Sequence, residues 1–124
     1  MIVTAEQALI RDTARSFADE RLRPFAAERD RTGKFPADAV EAMAKLGFLG
    51  MLVPERYDGA EADHISYALA MEEVAAGDGA CSTIISVNNS VVCGPLLAFG
   101  SEAQKEKYLK ATASGRQLGA FCLT

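Results

Sequence analysis

Few side chains in this 124-residue sequence carry chemistry of their own. His64 is the only histidine, and without a serine or cysteine partner we expect it at the surface beside Asp63. Glu72 and Glu73 are neighbours, and successive side chains on a helix point about 100° apart. They therefore cannot form an acid–base pair, and we expect one of them in a salt bridge and the other in solvent.

The cysteines do not form a recognisable metal site. Cys81 and Cys93 would lie about 18 Å apart along a continuous helix, which is too far for them to share a metal ion. No C-x-x-C, G-x-G-x-x-G, P-loop or H-E-x-x-H motif occurs. We therefore predict no metal ligand and no catalytic residue in this chain, and we expect Cys81 and Cys93 to be small core residues.

The overall composition excludes some classes of protein. The sequence is 49% apolar and 24% charged, an ordinary globular mixture that is sufficient for one domain. Its net charge of −4 argues against a nucleic acid as the main partner. The odd number of cysteines favours a reducing compartment, and the first residues resemble neither a secretory signal nor a transit peptide. We therefore expect a cytoplasmic location.

Residues 79–101 contain no charged side chain and no histidine. Their length could span a bilayer, but six polar side chains and the Gly94-Pro95 pair argue against it, so we predict no membrane span. We expect instead a central helix that is buried on nearly all sides. Its hydroxyl groups either bond back to the preceding turn or line a ligand pocket, and both alternatives stay open. The six polar side chains are Ser82, Thr83, Ser86, Asn88, Asn89 and Ser90.

The elements that would hold this helix are also helical. Capping boxes at Thr4–Gln7 and Ser101–Gln104 predict two helix starts, and Asp63 predicts a third. An apolar stripe from Ile10 to Phe25 indicates a first helix, which Pro24 should break or kink. Residues 47–59 lack the helical pattern, and we expect a largely buried irregular segment there. In the helix after Ser101 we expect Tyr108 and Leu109 to face inward.

The last residues, 118–124, are uncharged, and their pattern predicts a strand. A single apolar strand in an otherwise helical chain would be an aggregation hazard. We therefore expect a further domain after this strand.

Several separated stretches together resemble the N-terminal part of the flavin-dependent acyl-CoA dehydrogenases, in order and in spacing along nearly the whole chain. They are residues 22–30 (LRPFAAERD), 46–50 (LGFLG), 53–57 (VPERY), 63–67 (DHISY), 72–75 (EEVA), 86–90 (SVNNS), 94–96 (GPL), 104–109 (QKEKYL) and 119–124 (GAFCLT). The resemblance implies an all-α N-terminal domain, residues 1–116, followed at residues 117–124 by the first strand of a β-domain.

The resemblance also implies a cofactor and its contacts. In the full-length protein the segment that carries Phe121, Leu123 and Thr124 would contact the flavin of FAD. Thr83, Ile84, Val87 and Val91 would line the acyl-chain pocket, and their spacing places them on one helix face. Residues 86–90 are most similar to the short-chain, butyryl-type branch. These seven residues are the predicted site.

The implied reaction is oxidation of the Cα–Cβ bond of an acyl-CoA to a trans-2-enoyl-CoA. The implied partners are acyl-CoA, an electron-transfer flavoprotein as electron acceptor, and further copies of the full-length protein in a homotetramer. The family's catalytic glutamate would lie outside this chain, so we expect the 124 residues alone to be inactive. An acyl-CoA oxidase domain and a stand-alone helical module that binds a partner remain alternatives.

Overall fold

The computed structural model describes residues 2–123, which are helical and contain no strand. Three π-helical segments, Ala18–Leu22, Val87–Cys93 and Lys105–Leu109, join consecutive α-helices end to end. The result is three long helices: residues 5–32, residues 79–99 (the central helix) and residues 102–113 (the last helix). The α-helices are α1 (Ala5–Phe17), α2 (Arg23–Thr32), α3 (Ala37–Lys45), α4 (His64–Gly77), α5 (Gly79–Ser86), α6 (Gly94–Phe99), α7 (Glu102–Gln104) and α8 (Lys110–Ala113). The predicted all-α class is confirmed.

Both predicted capping boxes are formed. The Gln7 N–H donates to Thr4 Oγ1 at 3.2 Å, and the Thr4 N–H donates to Gln7 Oε1 at 3.0 Å. Ser101 and Gln104 make the same two bonds at 3.3 and 2.9 Å. Each box satisfies two backbone groups that a helix start leaves unpaired, so these starts are fixed by local sequence.

The chain does not leave the helix at Pro24, but the regular α-helix is interrupted just before it. The chain stays helical because a π-helical segment, Ala18–Leu22, precedes the proline. At its end the Arg23 N–H donates to the Ala18 carbonyl, five residues earlier. Proline lacks an N–H and its ring meets the carbonyl four residues before it, and the π segment is where the helix adjusts to this.

The core lies between α1, α3, α4, α5 and a 3₁₀ turn, Phe48–Gly50. The rings of Phe17 and Phe48 meet edge to face with their centroids 6.1 Å apart. The irregular segment is largely buried, as predicted, with only Leu52 half-buried among its large apolar side chains. The fully buried large side chains of this core include Leu22, Met43, Leu49, Val74 and Ile85.

The predictions of burial are wrong for Tyr108, for Phe25 at the end of the apolar stripe, and for the outer side of the central helix. Phe25 and Tyr108 are each 45% exposed. The central helix is buried on one side only, because α4, the irregular segment and the last helix cover a single face of it. Its buried residues are Cys81, Ser82, Ile85, Asn88, Asn89 and Cys93.

The central helix is also the one helix among the described residues that is long and apolar enough to cross a membrane. Core helices of water-soluble proteins pass the same test, so this is weak evidence for a span. The absence of a membrane span stays a prediction.

The terminal segment, residues 117–123, has no regular secondary structure, so the predicted strand is not formed in the described residues. A strand is defined by a ladder with a second strand, and residues 2–123 supply none. Hydrogen bonds from two of its backbone N–H groups attach the segment to the helices instead. The Gln117 N–H donates to the Ala111 carbonyl at 3.0 Å, and the Gly119 N–H donates to Asn88 Oδ1 at 2.9 Å.

Candidate functional site

The central helix and the terminal segment face each other across an open cleft of about 290 Å³. The helix contributes three residues and the segment contributes residues 118–121. The structure thus brings together three of the four residues predicted to contact an acyl chain and one of the three predicted to contact a flavin. Those lining the cleft are Thr83, Ile84, Val87 and Phe121.

Of the remaining predicted site residues, Val91 and Leu123 are described, and neither of them lines this cleft. Val91 lines an adjoining cleft of about 370 Å³, together with Phe99 and Ala120. Since Ala120 lines both, the two clefts run side by side along the segment. Leu123 is 80% exposed, and Thr124 lies outside the described residues. The assignment of these residues to substrate or flavin stays a prediction.

The start of α5 is fixed by Asp78. Its Oδ1 accepts hydrogen bonds from the N–H groups of Ala80 and Cys81, at 3.0 and 3.2 Å. From this start, the spacing of the helix turns Ile84 and Val87 toward the cleft and Ile85 toward the core.

The hydroxyl groups of Ser82, Thr83 and Ser90 bond to the central helix itself. Thr83 Oγ1 donates to the Gly79 carbonyl at 3.1 Å, and Ser90 Oγ donates to the Ser86 carbonyl at 2.6 Å. Of the two alternatives that the sequence left open, the structure shows the bond to the preceding turn for both residues, and Thr83 also lines the cleft. A hydroxyl that donates in this way still keeps an oxygen that can accept a bond from a ligand.

Sequence reasoning missed the role of Asn88 and Asn89. These side chains are only 1% and 2% exposed, although they are amides in an apolar helix. A signal was present, because both lie at helical spacing from Ile85 and Cys93 on the buried face. A buried amide needs partners, so this spacing could have predicted contacts with distant backbone groups.

The lining of the 290 Å³ cleft is uncharged. Burial raises the pKa of the Cys81 thiol to about 12 and also raises that of Cys93, so both stay protonated and unreactive. No cluster of three metal-ligating side chains occurs among residues 2–123. The cleft can therefore bind an apolar group, but its lining offers no acid or base.

The other groups considered for chemistry are at the surface, as expected. His64 is exposed. Glu73 pairs with Arg15 at 2.6 Å, and the hydrogen bond from Arg15 lowers the pKa of that carboxyl, whereas Glu72 is exposed without an ion pair among the described residues.

Thiol labelling of the 124-residue chain tests this burial. We expect one of its three thiols, that of the exposed Cys122, to react rapidly with a disulfide reagent at mildly alkaline pH. Cys81 and Cys93 should react only after denaturation, because reaction requires an accessible thiolate. The released chromophore counts the thiols, and a Cys122→Ser chain should show no rapid phase. Rapid labelling of all three would contradict the buried positions.

A family model described as "Acyl-CoA dehydrogenase, N-terminal domain" matches residues 4–116. The chain belongs to the acyl-CoA dehydrogenase family. An acyl-CoA dehydrogenase of Bacillus subtilis (strain 168) is 44% identical over 124 residues, which is all of this chain and 33% of that protein. The human mitochondrial short-chain specific acyl-CoA dehydrogenase is 43% identical over 116 residues, which is 94% of this chain and 28% of that protein.

The solved structures of acyl-CoA dehydrogenases agree with this fold. The butyryl-CoA dehydrogenase from Megasphaera elsdenii superimposes with a TM-score of 0.93 at 35% identity, over 100% of this chain and 33% of its own. The chain thus spans about a third of the length of the relatives it matches. The predicted membership of the acyl-CoA dehydrogenase family is confirmed.

Proposed function

We propose that this chain is the N-terminal part of a flavin-dependent acyl-CoA dehydrogenase that oxidises a short-chain acyl-CoA to its trans-2-enoyl-CoA. Residues 1–116 would be the helical domain, and residues 117–124 the first strand of the next domain. The observation that carries the proposal is the uncharged cleft, in which Ile84 and Val87 face Phe121. The family and the short-chain specific relatives support this class of reaction.

The described residues offer surfaces that fit an acyl chain and a flavin ring, the two groups that this reaction requires. The helix face offers an apolar surface for a hydrocarbon chain, from Ile84 to Val91. On the other side, residues 120–123 are exposed, so their backbone is open to the edge of a flat ring system. FAD, when bound, would supply the acceptor for the hydride that leaves the substrate.

This chain's own part in the reaction would be to bind and to orient. Ile84, Val87 and Val91 would hold the acyl chain away from water, with Thr83 at the end of the row. Phe121 would pack beside the flavin, Leu123 would contact its pyrimidine side through the backbone, and the Thr124 hydroxyl would bond to the ring system. The base that removes the α-proton would come from a residue outside this chain.

The proposed partners follow from the family. They are acyl-CoA as substrate, an electron-transfer flavoprotein as electron acceptor, and three further copies in a homotetramer of the full-length protein. We further propose a cytoplasmic location, with neither a nucleic acid partner nor a membrane span. The net charge of −4 supports the exclusion of nucleic acid.

Two preparations test the proposal. The full-length protein should be yellow, and butyryl-CoA should bleach its flavin absorbance without oxygen. The 124-residue chain should be helical by circular dichroism and colourless, since one edge of a cofactor gives too little contact to offset the entropy of binding. A full-length protein without flavin would overturn the proposal, and a yellow 124-residue chain would overturn the expectation that the chain alone binds no flavin. Rapid peroxide formation in air would instead assign the protein as an oxidase.

A further inference from the structure

Asn88 joins four separate segments of the domain. Its Nδ2 donates to the Leu49 carbonyl at 2.7 Å and to the Thr112 carbonyl at 3.0 Å. Its Oδ1 accepts from the Gly119 N–H at 2.9 Å. One buried side chain of the central helix is thus bonded to the 3₁₀ turn, to the last helix and to the terminal segment.

Close packing accompanies these bonds. A Cβ on Gly119 would overlap the side chain of Val92, so the terminal segment lies directly against the central helix at this point. Two residues further on, Phe121 lines the cleft opposite Val87, which precedes Asn88 in the chain. Gly119 itself lines the cleft, so its bond to Asn88 fixes the segment to the helix at the cleft.

We propose that Asn88 is a positioning residue that sets the distance between the acyl-chain face of the central helix and the flavin-contacting segment. The inference rests on the proposed function. A substrate carbon and its hydride acceptor must lie about 3–3.5 Å apart, and a misplacement of about 1 Å can cost about 100-fold in rate. Asn88 follows Val87 in the central helix and bonds to Gly119 of the terminal segment. It therefore positions the two surfaces between which that distance is measured.

The chemistry of the three partners explains why the residue is an amide. Two carbonyl oxygens require N–H donors, and the Gly119 N–H requires an acceptor, which a single carboxamide supplies together. An aspartate would place a carboxylate against two carbonyl oxygens. An alanine would remove the partner that the Leu49 and Thr112 carbonyls and the Gly119 N–H share, and of the two carbonyls the one of Thr112 would keep a bond from the Gly115 N–H at 3.1 Å. The loss destabilises the fold as well as releasing the segment.

Asn89 offers a matched control. It is as buried as Asn88, and its Nδ2 also donates to two backbone carbonyls, those of Phe48 at 2.8 Å and Ile85 at 3.0 Å. Its Oδ1 accepts from the Leu52 N–H at 3.4 Å. None of these partners belongs to the terminal segment, so replacing Asn89 removes a similar set of bonds but leaves Gly119 attached.

The experiment compares Asn88→Ala with Asn89→Ala in the full-length flavoprotein. Both should lower the thermal unfolding temperature. Only Asn88→Ala should alter the visible circular dichroism of the flavin and slow flavin reduction by butyryl-CoA, by about 10- to 100-fold with KM little changed. Equal flavin effects in both variants, or none in either, would overturn the role of Asn88. A wild-type protein without flavin would overturn the proposed function and this inference with it.

A second pair of variants approaches the same contact from the segment, in case Asn88→Ala does not fold. Gly119→Ala forces the segment away from Val92 while Asn88 keeps its bonds to Leu49 and Thr112. It should reproduce the altered flavin spectrum and the slow reduction, and adding Val92→Ala should restore part of both. A Gly119→Ala enzyme with wild-type spectrum and rate would overturn the proposal.

Discussion

Replacing Leu49 with alanine is expected to destabilise the 124-residue chain by about 2–5 kcal/mol. The Leu49 side chain is completely buried in the main core, so truncation removes its apolar contacts and leaves a cavity. Domains of this size are stable by about 5–15 kcal/mol in total. The loss is therefore a large share of the stability, and the variant should unfold at a much lower urea concentration.

Leu9→Ala is the matched control for Leu49→Ala. It deletes the same atoms from a side chain of α1 that is 67% exposed, so its effect should stay within about 0.5 kcal/mol. Urea unfolding followed by far-ultraviolet circular dichroism compares the two chains. Equal unfolding midpoints for them would contradict the position of Leu49 in the core.

Replacing both Ile84 and Val87 with alanine is expected to shift the substrate preference of the full-length enzyme toward longer acyl chains. Both side chains are half-buried and line the cleft. If the acyl chain binds there as proposed, their branched groups would limit its length. A methylene group in an apolar pocket changes specificity by about 10- to 200-fold. We expect the ratio of kcat/KM for octanoyl-CoA over butyryl-CoA to rise within that range.

Ile85→Val is the control for the same helix, because Ile85 is 1% exposed and faces the core rather than the cleft. It should lower stability slightly and leave the preference unchanged. The measurement is the kcat/KM series for butyryl-, octanoyl- and palmitoyl-CoA. A wild-type maximum at octanoyl-CoA or longer would contradict the short-chain prediction. An unchanged series in the double variant would remove both residues from the pocket.

The features that the sequence predicted correctly depend on residues close together in the chain. The capping boxes at Thr4 and Ser101 need only the next three residues, and Asp63 caps α4 through the N–H groups of Ile65 and Ser66. Which face of a helix is buried is harder, since that depends on segments packed against it. The central helix carries no charge on any side, so it lacks a charged face that would show which side stays open to solvent.

The candidate site was likewise predictable only where its residues are close together in the chain. Helical spacing places Ile84 and Val87 on one face, but the resemblance to a family assigned Phe121 only to the flavin and did not predict that it lies across the cleft from them. The bonds of Asn88 join residues that are 24, 31 and 39 positions apart. The helical spacing of the amides can indicate that distant contacts exist, but no local pattern identifies partners at such separations, and these become visible only once the chain is folded.

The π-helical segment Lys105–Leu109 is a place where the chain can lose one residue without a change of fold. Such a segment holds one residue more than an α-helical turn would. Losing one codon there would leave a regular α-helix, with the capping box at Ser101 and the buried face at Leu109 still in their places. The same loss within α1 would turn all residues before it by about 100° and detach one face from α4. A single-residue gap at 105–109 in an alignment with relatives would thus record a tightened turn rather than a different fold.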